Sequence, residues 1–158
     1  TTVGLSRYIT TVANSGVCYN LTLIDKMTDH NGNLLEDNTA EIRNIIEMES
    51  SYWDAIHLGM RRVAESKQYF NIGVDVAGKT GTAQNRGKDH SIFMGFAPKE
   101  NPQIAVAVYV ENGGFGATFG VPIGALLMEQ YLNGKLSPES HAKVEYIRGR
   151  PIHYDTKR

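Results

Sequence analysis

Leu5, Ile9, Val12 and Ala13 recur at helical spacing, and Asn14-Ser15-Gly16 supplies a helix stop. A strand-like run follows at Asn20-Leu21-Thr22-Leu23-Ile24. The Asn-Gly in Asp29-His30-Asn31-Gly32-Asn33 then predicts a tight reversal. Residues 34–49 fit either structure type, with Ile42, Ile45 and Ile46 as their apolar positions. From Ser50 a helix is predicted, capped by Ser50 or Ser51, with Trp53, Ile56, Met60 and Val63 on one face. The second half changes period. Residues 74–84 are Gly- and Thr-rich and read as extended, 90–97 as a second strand and 103–112 as a third, joined by turns at 85–89 and 98–102. In the third strand Ile104, Val106, Val108 and Val110 point one way; Ala105, Ala107 and Tyr109 point the other. Such short connections demand antiparallel neighbours. Small residues at Gly95, Ala97, Ala105 and Ala107 would admit a closely packed helix. The candidate is 121–132, with Pro122 in its first turn, Leu126, Leu127 and Tyr131 along it, and Gly134 as its stop. Residues 135–158 read as a polar surface tail. The predicted class is α+β, an antiparallel sheet backed by helices, over residues 1–134.

Composition narrows the partners. Sixteen basic and seventeen acidic residues leave a net charge of -1, which gives no electrostatic case for nucleic acid or an anionic membrane. The single cysteine, Cys18, excludes an internal disulfide framework. His30, His57, His90, His141 and His153 have no metal-ligand spacing, so neither a metal nor another cofactor is expected. No apolar run is long enough to span a bilayer. A start at Thr1, already in helical pattern, reads as the start of a fragment.

Three segments carry candidate chemistry. Gly73–Thr80 matches the phosphate-loop pattern G-x-x-x-x-G-K-[ST]. Val74 and Val76 favour an extended chain, however, and Gly81 through Gly87 opens no helix, so the context a phosphate loop needs is missing. Ser140-His141-Ala142-Lys143 fits the nucleophile pattern S-x-x-K. Glu139, His141 and Glu145 surround it with charge, which would keep the lysine solvated and protonated; a polar surface turn is the preferred reading. Lys79-Thr80-Gly81 offers a cation, hydroxyls and an unobstructed backbone on a strand, an edge to which an extended peptide can add. Alone, the triplet reads better as an edge strand whose lysine merely deters aggregation.

Its setting reverses that preference. Ala77–Gln84, His90–Pro98, Asn101–Val108 and Glu111-Asn112-Gly113, in that order, resemble class B penicillin-binding proteins, most of all the elongation-type penicillin-binding protein 2. Thr2–Gly16 resembles that family's helix ending in Ala-Asn-Gly-Gly, and Gly59-Met60-Arg61-Arg62-Val63 its Gly-Met helix. Ile92, where the family usually has an aromatic residue, and Thr2-Val3, where it has Thr-Pro, depart from the pattern.

The resemblance implies a serine D,D-transpeptidase that cross-links peptidoglycan stem peptides and is acylated by β-lactams. By position, Lys79 would place positive charge near the substrate carboxylate and Thr80 and Thr82 would bind it. Gly81 would keep the groove open, and the Thr82 backbone N–H would serve the oxyanion. The family's S-x-x-K serine and S-x-N motif come before the first helix; here the one S-x-x-K lies after the lysine strand and no S-x-N occurs. The chain alone is therefore expected to be inactive. The family sheet has two further strands from before the catalytic serine; if they are missing, 103–112 presents an open apolar edge, implying self-association or complementation. The resemblance also implies a parent tethered outside the cytoplasmic membrane. The alternatives are a non-catalytic module that binds a peptide carboxylate and a phosphate-loop nucleotide protein.

Overall fold

In the computed structural model, which describes residues 1–66 and 70–153, the first helix, α1, spans Thr2–Ala13. The Thr1 hydroxyl caps it by accepting the Gly4 N–H at 3.2 Å. It ends as predicted, at Asn14, with Ser15 and Gly16 both at positive φ. Strand β1 (Val17–Tyr19) pairs antiparallel with β4 (Ile42–Ile45), and β2 (Lys26–Thr28) with β3 (Leu34–Asp37). The reversal between β2 and β3 is built on Asp29. Its carboxylate accepts the N–H of Asn31 and Asn33 at 2.8 and 2.9 Å and the Asn33 side-chain amide at 2.8 Å. Those bonds, the Asn33 side chain foremost, hold the Asp29 carboxyl below the usual carboxylate range.

The expected strand at Asn20–Ile24 does not form. The Thr22 hydroxyl donates to the Ile24 carbonyl and accepts its N–H, a local ring that competes with strand pairing. Residues 34–49 resolve into the two short strands β3 and β4, all of whose residues are exposed.

Helix α2 covers Ser50–Glu65. Neither predicted serine caps it: Glu49 occupies the N-cap position and makes no side-chain cap bond. Its buried positions are Trp53, His57 and Ala64, whereas Ile56 is exposed. His57 displaces the expected isoleucine because its Nε2–H can donate to the Val12 carbonyl, 2.7 Å away, joining α2 to the end of α1. The imidazole edge also meets the Phe96 ring, 5.0 Å between centroids.

The main sheet has the order β5-β6-β7, from β5 (Ala77–Ala83), β6 (His90–Ala97) and β7 (Ile104–Val110), antiparallel throughout. It is packed on both faces. Ala77, Met94, Phe96 and Ala105 meet α1 residues Ile9, Val12 and Ala13. Phe93, Ala97, Val106 and Val108 meet α3 (Gly120–Asn133) through Val121, Ala125 and Met128. Ala105 and its neighbour across the ladder from Met94, Ala107, thus face α1 rather than the later helix.

What lets α3 approach is glycine around Phe93. A Cβ at Gly124 would lie 2.4 Å from Phe93 Cδ1, one at Gly78 2.6 Å from Cε2, and one at Gly95 2.7 Å from Cζ. Leu127 and Tyr131 lie on the outer side of α3, exposed. The helix stops at Gly134, in the left-handed region at φ 70°. Pro138–Arg148 then forms α4, so the region read as a polar tail contains a helix; its N-cap is Ser137. Residues 154–158 of that region lie outside the described residues.

Candidate active-site strand

Lys79, Thr80, Gly81 and Thr82 all lie in β5, at one edge of the sheet. In the register Lys79 pairs with Met94, Thr80 with Phe93, Gly81 with Ile92 and Thr82 with Ser91. Pleating therefore sends Lys79 to the α1 face and both threonines to the α3 face. Lys79 and Thr82 are exposed, and Thr80 is half-buried.

The backbone of β5 can be oriented from its neighbours. A Cβ on Gly116 would lie 2.5 Å from the Ile92 carbonyl oxygen and 2.6 Å from that of Gly81. Two oxygens so near one point face each other across the ladder. In an antiparallel pair that happens only where the partners exchange both backbone bonds. Gly81 thus turns its N–H and C=O toward β6. Thr80 and Thr82, one residue either side, turn theirs to the unpaired edge. The Lys79 ammonium curls onto that same edge and donates to the Thr80 carbonyl at 2.7 Å. The Lys79 ammonium and an outward Thr82 N–H consequently lie along one open edge, with the Thr80 and Thr82 side chains on the α3 side of it.

Behind the strand lies the loop between β7 and α3. Gly116 fills the space opposite the Gly81 and Ile92 side-chain positions, where any Cβ would strike backbone. Ser91 clamps the loop: its hydroxyl donates to the Phe115 carbonyl at 2.8 Å and accepts the Gly120 N–H at 3.0 Å. His90 Nδ1 accepts the Asn112 N–H at 3.0 Å, and the Asp89 carbonyl accepts that of Gly114 at 2.8 Å. Sequence reading gave these residues no role, although His90, Ser91 and Asn112 lie in segments that carry the family resemblance and a glycine-rich run extends from Gly113 to Gly120.

The other two candidates part from this strand. Residues 77–83 are strand, and no helix begins at Lys79, so the phosphate-loop pattern has no phosphate-loop backbone. Ser140 is 3% exposed and donates to the Glu129 carboxylate, which also accepts the Ser137 N–H at 2.9 Å. Burial pushes the Glu129 carboxyl up, but the bonds from Ser140 and Ser137 and the charge of Lys143 outweigh it and leave it below the ordinary range. Ser140 ties α4 to α3 and is not presented to a substrate.

A glycine-backed Lys-Thr-Gly edge strand in an antiparallel sheet with helices on both faces is the arrangement of penicillin-recognising serine acyltransferases. The model for the penicillin-binding protein transpeptidase domain matches residues 1–129, and the chain belongs to that family, as part of a class B domain. It is 32% identical over 130 residues to penicillin-binding protein 2A of Bacillus subtilis, covering 70% of this chain and 18% of the relative. It is 38% identical over 89 residues to the peptidoglycan D,D-transpeptidase PbpA of Mycobacterium tuberculosis, covering 49% and 18%. The ceftriaxone acyl-enzyme of penicillin-binding protein A from M. tuberculosis shares the fold, with a TM-score of 0.72 and 24% identity over 80% of this chain and 31% of that one. The chain spans under a fifth of the length of these two curated relatives. Among the described residues no helix is long and apolar enough to cross a membrane.

Proposed function

We propose that the chain supplies the carboxylate-binding strand of a peptidoglycan D,D-transpeptidase and does not turn over substrate by itself. The observation that supports this most is the open β5 edge, where the Lys79 ammonium and the outward Thr82 N–H lie, flanked by the Thr80 and Thr82 side chains. An extended stem peptide would pair with that edge, its terminal carboxylate held by Lys79, Thr80 and Thr82, with Gly81 leaving the path clear. The Thr82 N–H would donate to the oxyanion when a serine attacks the peptide carbonyl or a β-lactam. No serine of this chain answers to that nucleophile, because Ser140 is buried against Glu129.

The name of the peptidoglycan D,D-transpeptidase relative supports peptidoglycan, and the acyl-enzyme complex of the structural neighbour supports β-lactams, as ligands of the parent. The parent's stem-peptide substrate and place outside the cytoplasmic membrane follow from the family resemblance alone. β7 ends the sheet on its other side, so self-association or complementation through that edge follows from the same reading. Light scattering that shows only monomer at high concentration would oppose it. Fluorescent penicillin should leave the chain unlabelled, and labelling at Ser140 would overturn the proposal. A peptide ending in D-Ala-D-Ala should bind weakly, with loss of about tenfold in Lys79→Ala, the effect of one charge-assisted hydrogen bond. Equal binding by the variant would remove Lys79 from the site.

A further inference from the structure

We infer that His90 is a positioning residue for the β5 edge: as the Nε2–H tautomer it accepts the Asn112 N–H and seats the 112–119 loop against the back of Gly81. The inference rests on the proposed carboxylate-binding role of that edge for its functional meaning, and on hydrogen bonding for its structural part. Nδ1 of His90 lies 3.0 Å from a backbone N–H, so it must be the unprotonated nitrogen. The residue that donates, Asn112, sits at φ 56°, a left-handed turn conformation that asparagine tolerates and that aims its N–H at the His90 ring. The ring stacks at a tilt on Tyr109 of β7, 5.3 Å between centroids, so it cannot swing away freely.

Three consecutive residues, Asp89, His90 and Ser91, grip the loop at Gly114, Asn112 and Phe115, with Gly120 as a fourth point. These same residues lie across the ladder from the end of the site strand: His90 opposite Ala83, and Ser91 opposite Thr82. The bonds that hold the loop and the pairs that hold β5 therefore share one short segment. Between them Gly116 rests on the Gly81 backbone, bracing the pair that turns the Thr80 and Thr82 backbone groups outward. Free of the His90 bond, Asn112 would relax from its left-handed backbone, and Gly116 would lift from the strand.

Nitrogen-15 imidazole spectra of the full chain report the tautomer directly. Expected is an unprotonated-type shift at His90 Nδ1 and a protonated-type shift at Nε2 at neutral pH; the reverse overturns the inference. His90→Phe should raise amide exchange at Asn112 and Gly114 at least tenfold and move the Gly81 and Gly116 amide shifts. His90→Asn, which keeps a short acceptor, should restore both toward the parent, which a purely packing role would not do. Unmoved Gly81 and Gly116 amides in a folded His90→Phe chain also overturn it. Binding of the D-Ala-D-Ala peptide separates this from the function beneath it. A parent chain that does not bind, in which His90→Phe still shifts Gly81, removes the carboxylate role and keeps the positioning one. A parent that binds, with His90→Phe binding equally and no shift at Gly81, does the opposite.

Discussion

Gly124→Ala should change sign with its neighbour. In the middle of an exposed helix this substitution stabilises by about 1 kcal/mol, because alanine loses less backbone entropy than glycine. In α3 the new methyl would lie 2.4 Å from Phe93 Cδ1 and 2.6 Å from Cε1. The ring cannot give way: Phe93 is 1% exposed, Gly78 and Gly95 close in on its far atoms, and Phe70 packs on it at 5.2 Å between centroids. Overpacking of that kind costs about 1–3 kcal/mol, so the net effect is a loss of up to about 2 kcal/mol. Phe93→Val removes both clashing atoms, and there Gly124→Ala should recover its gain of up to about 1 kcal/mol. The coupling between the two sites is then about 1–3 kcal/mol, well beyond the few tenths expected of independent positions. Urea unfolding of the four chains, followed through the buried Trp53, measures it. Additive effects, or a Gly124→Ala that stabilises the parent, would refute the glycine slot as the reason α3 lies where it does.

Two further outcomes rest on single contacts. Gly16→Ala should cost about 2 kcal/mol or more, since Gly16 has φ 99° and its Cβ would stand 2.4 Å from the Ile46 carbonyl and 2.8 Å from the Trp53 ring; thermal unfolding reads it, and an unchanged melting point contradicts the contact. Glu129→Gln should cost about 1–3 kcal/mol at pH 7 by spoiling the acceptor of Ser137 and Ser140. The Glu129 carboxyl is held below its ordinary value, so its contribution is complete above about pH 4.3 and is lost as the pH falls through the lower folded value. The gap between parent and variant in urea titrations should accordingly close on acidification, and a gap that widens would reverse the assignment.

Periodicity located α1 and β7, each of which buries a face whose repeat is written in the side chains, whereas β5 was legible from its Gly and Thr content and α3 from Pro122 and Gly134 at its ends. The alternation of Ile104, Val106 and Val108 with Ala105 and Ala107 placed both faces of β7 correctly. It could not say which helix lies on which face, because small residues mark close approach without naming the partner. The Asp29–Asn33 reversal was legible for a local reason, its bonds lying within five residues. Residues 20–24 misled for a local reason too, since the Thr22 hydroxyl ring competes with an apolar run. The Lys79–Thr82 strand was readable as a motif, whereas its backing was not. His90 and Ser91 act through partners 22 to 29 positions away, and no spacing rule connects them.

The proposed site also asks how a motif split across two faces can act as one. Lys79 and Thr80 are adjacent, so pleating must put their side chains on opposite sides of the sheet. A binding surface on either face would receive only one of them. The edge is where both can reach, provided the lysine is long enough to curl over it and the strand is kept from rotating. The bond from Lys79 Nζ to the Thr80 carbonyl meets the first condition. Gly116 on Gly81, with the loop gripped by Asp89, His90 and Ser91, meets the second. In the proposed site the absence of a side chain at Gly81 leaves the edge unobstructed for a peptide, while the loop lies against its backbone on the opposite face. A side chain at Gly81 would come first against Ile92, 3.4 Å away, so its harm to peptide binding should exceed its harm to stability. Gly81→Ala is accordingly expected to unfold within about 1 kcal/mol of the parent while losing the D-Ala-D-Ala peptide; a variant that binds as the parent does would leave the glycine a purely structural residue.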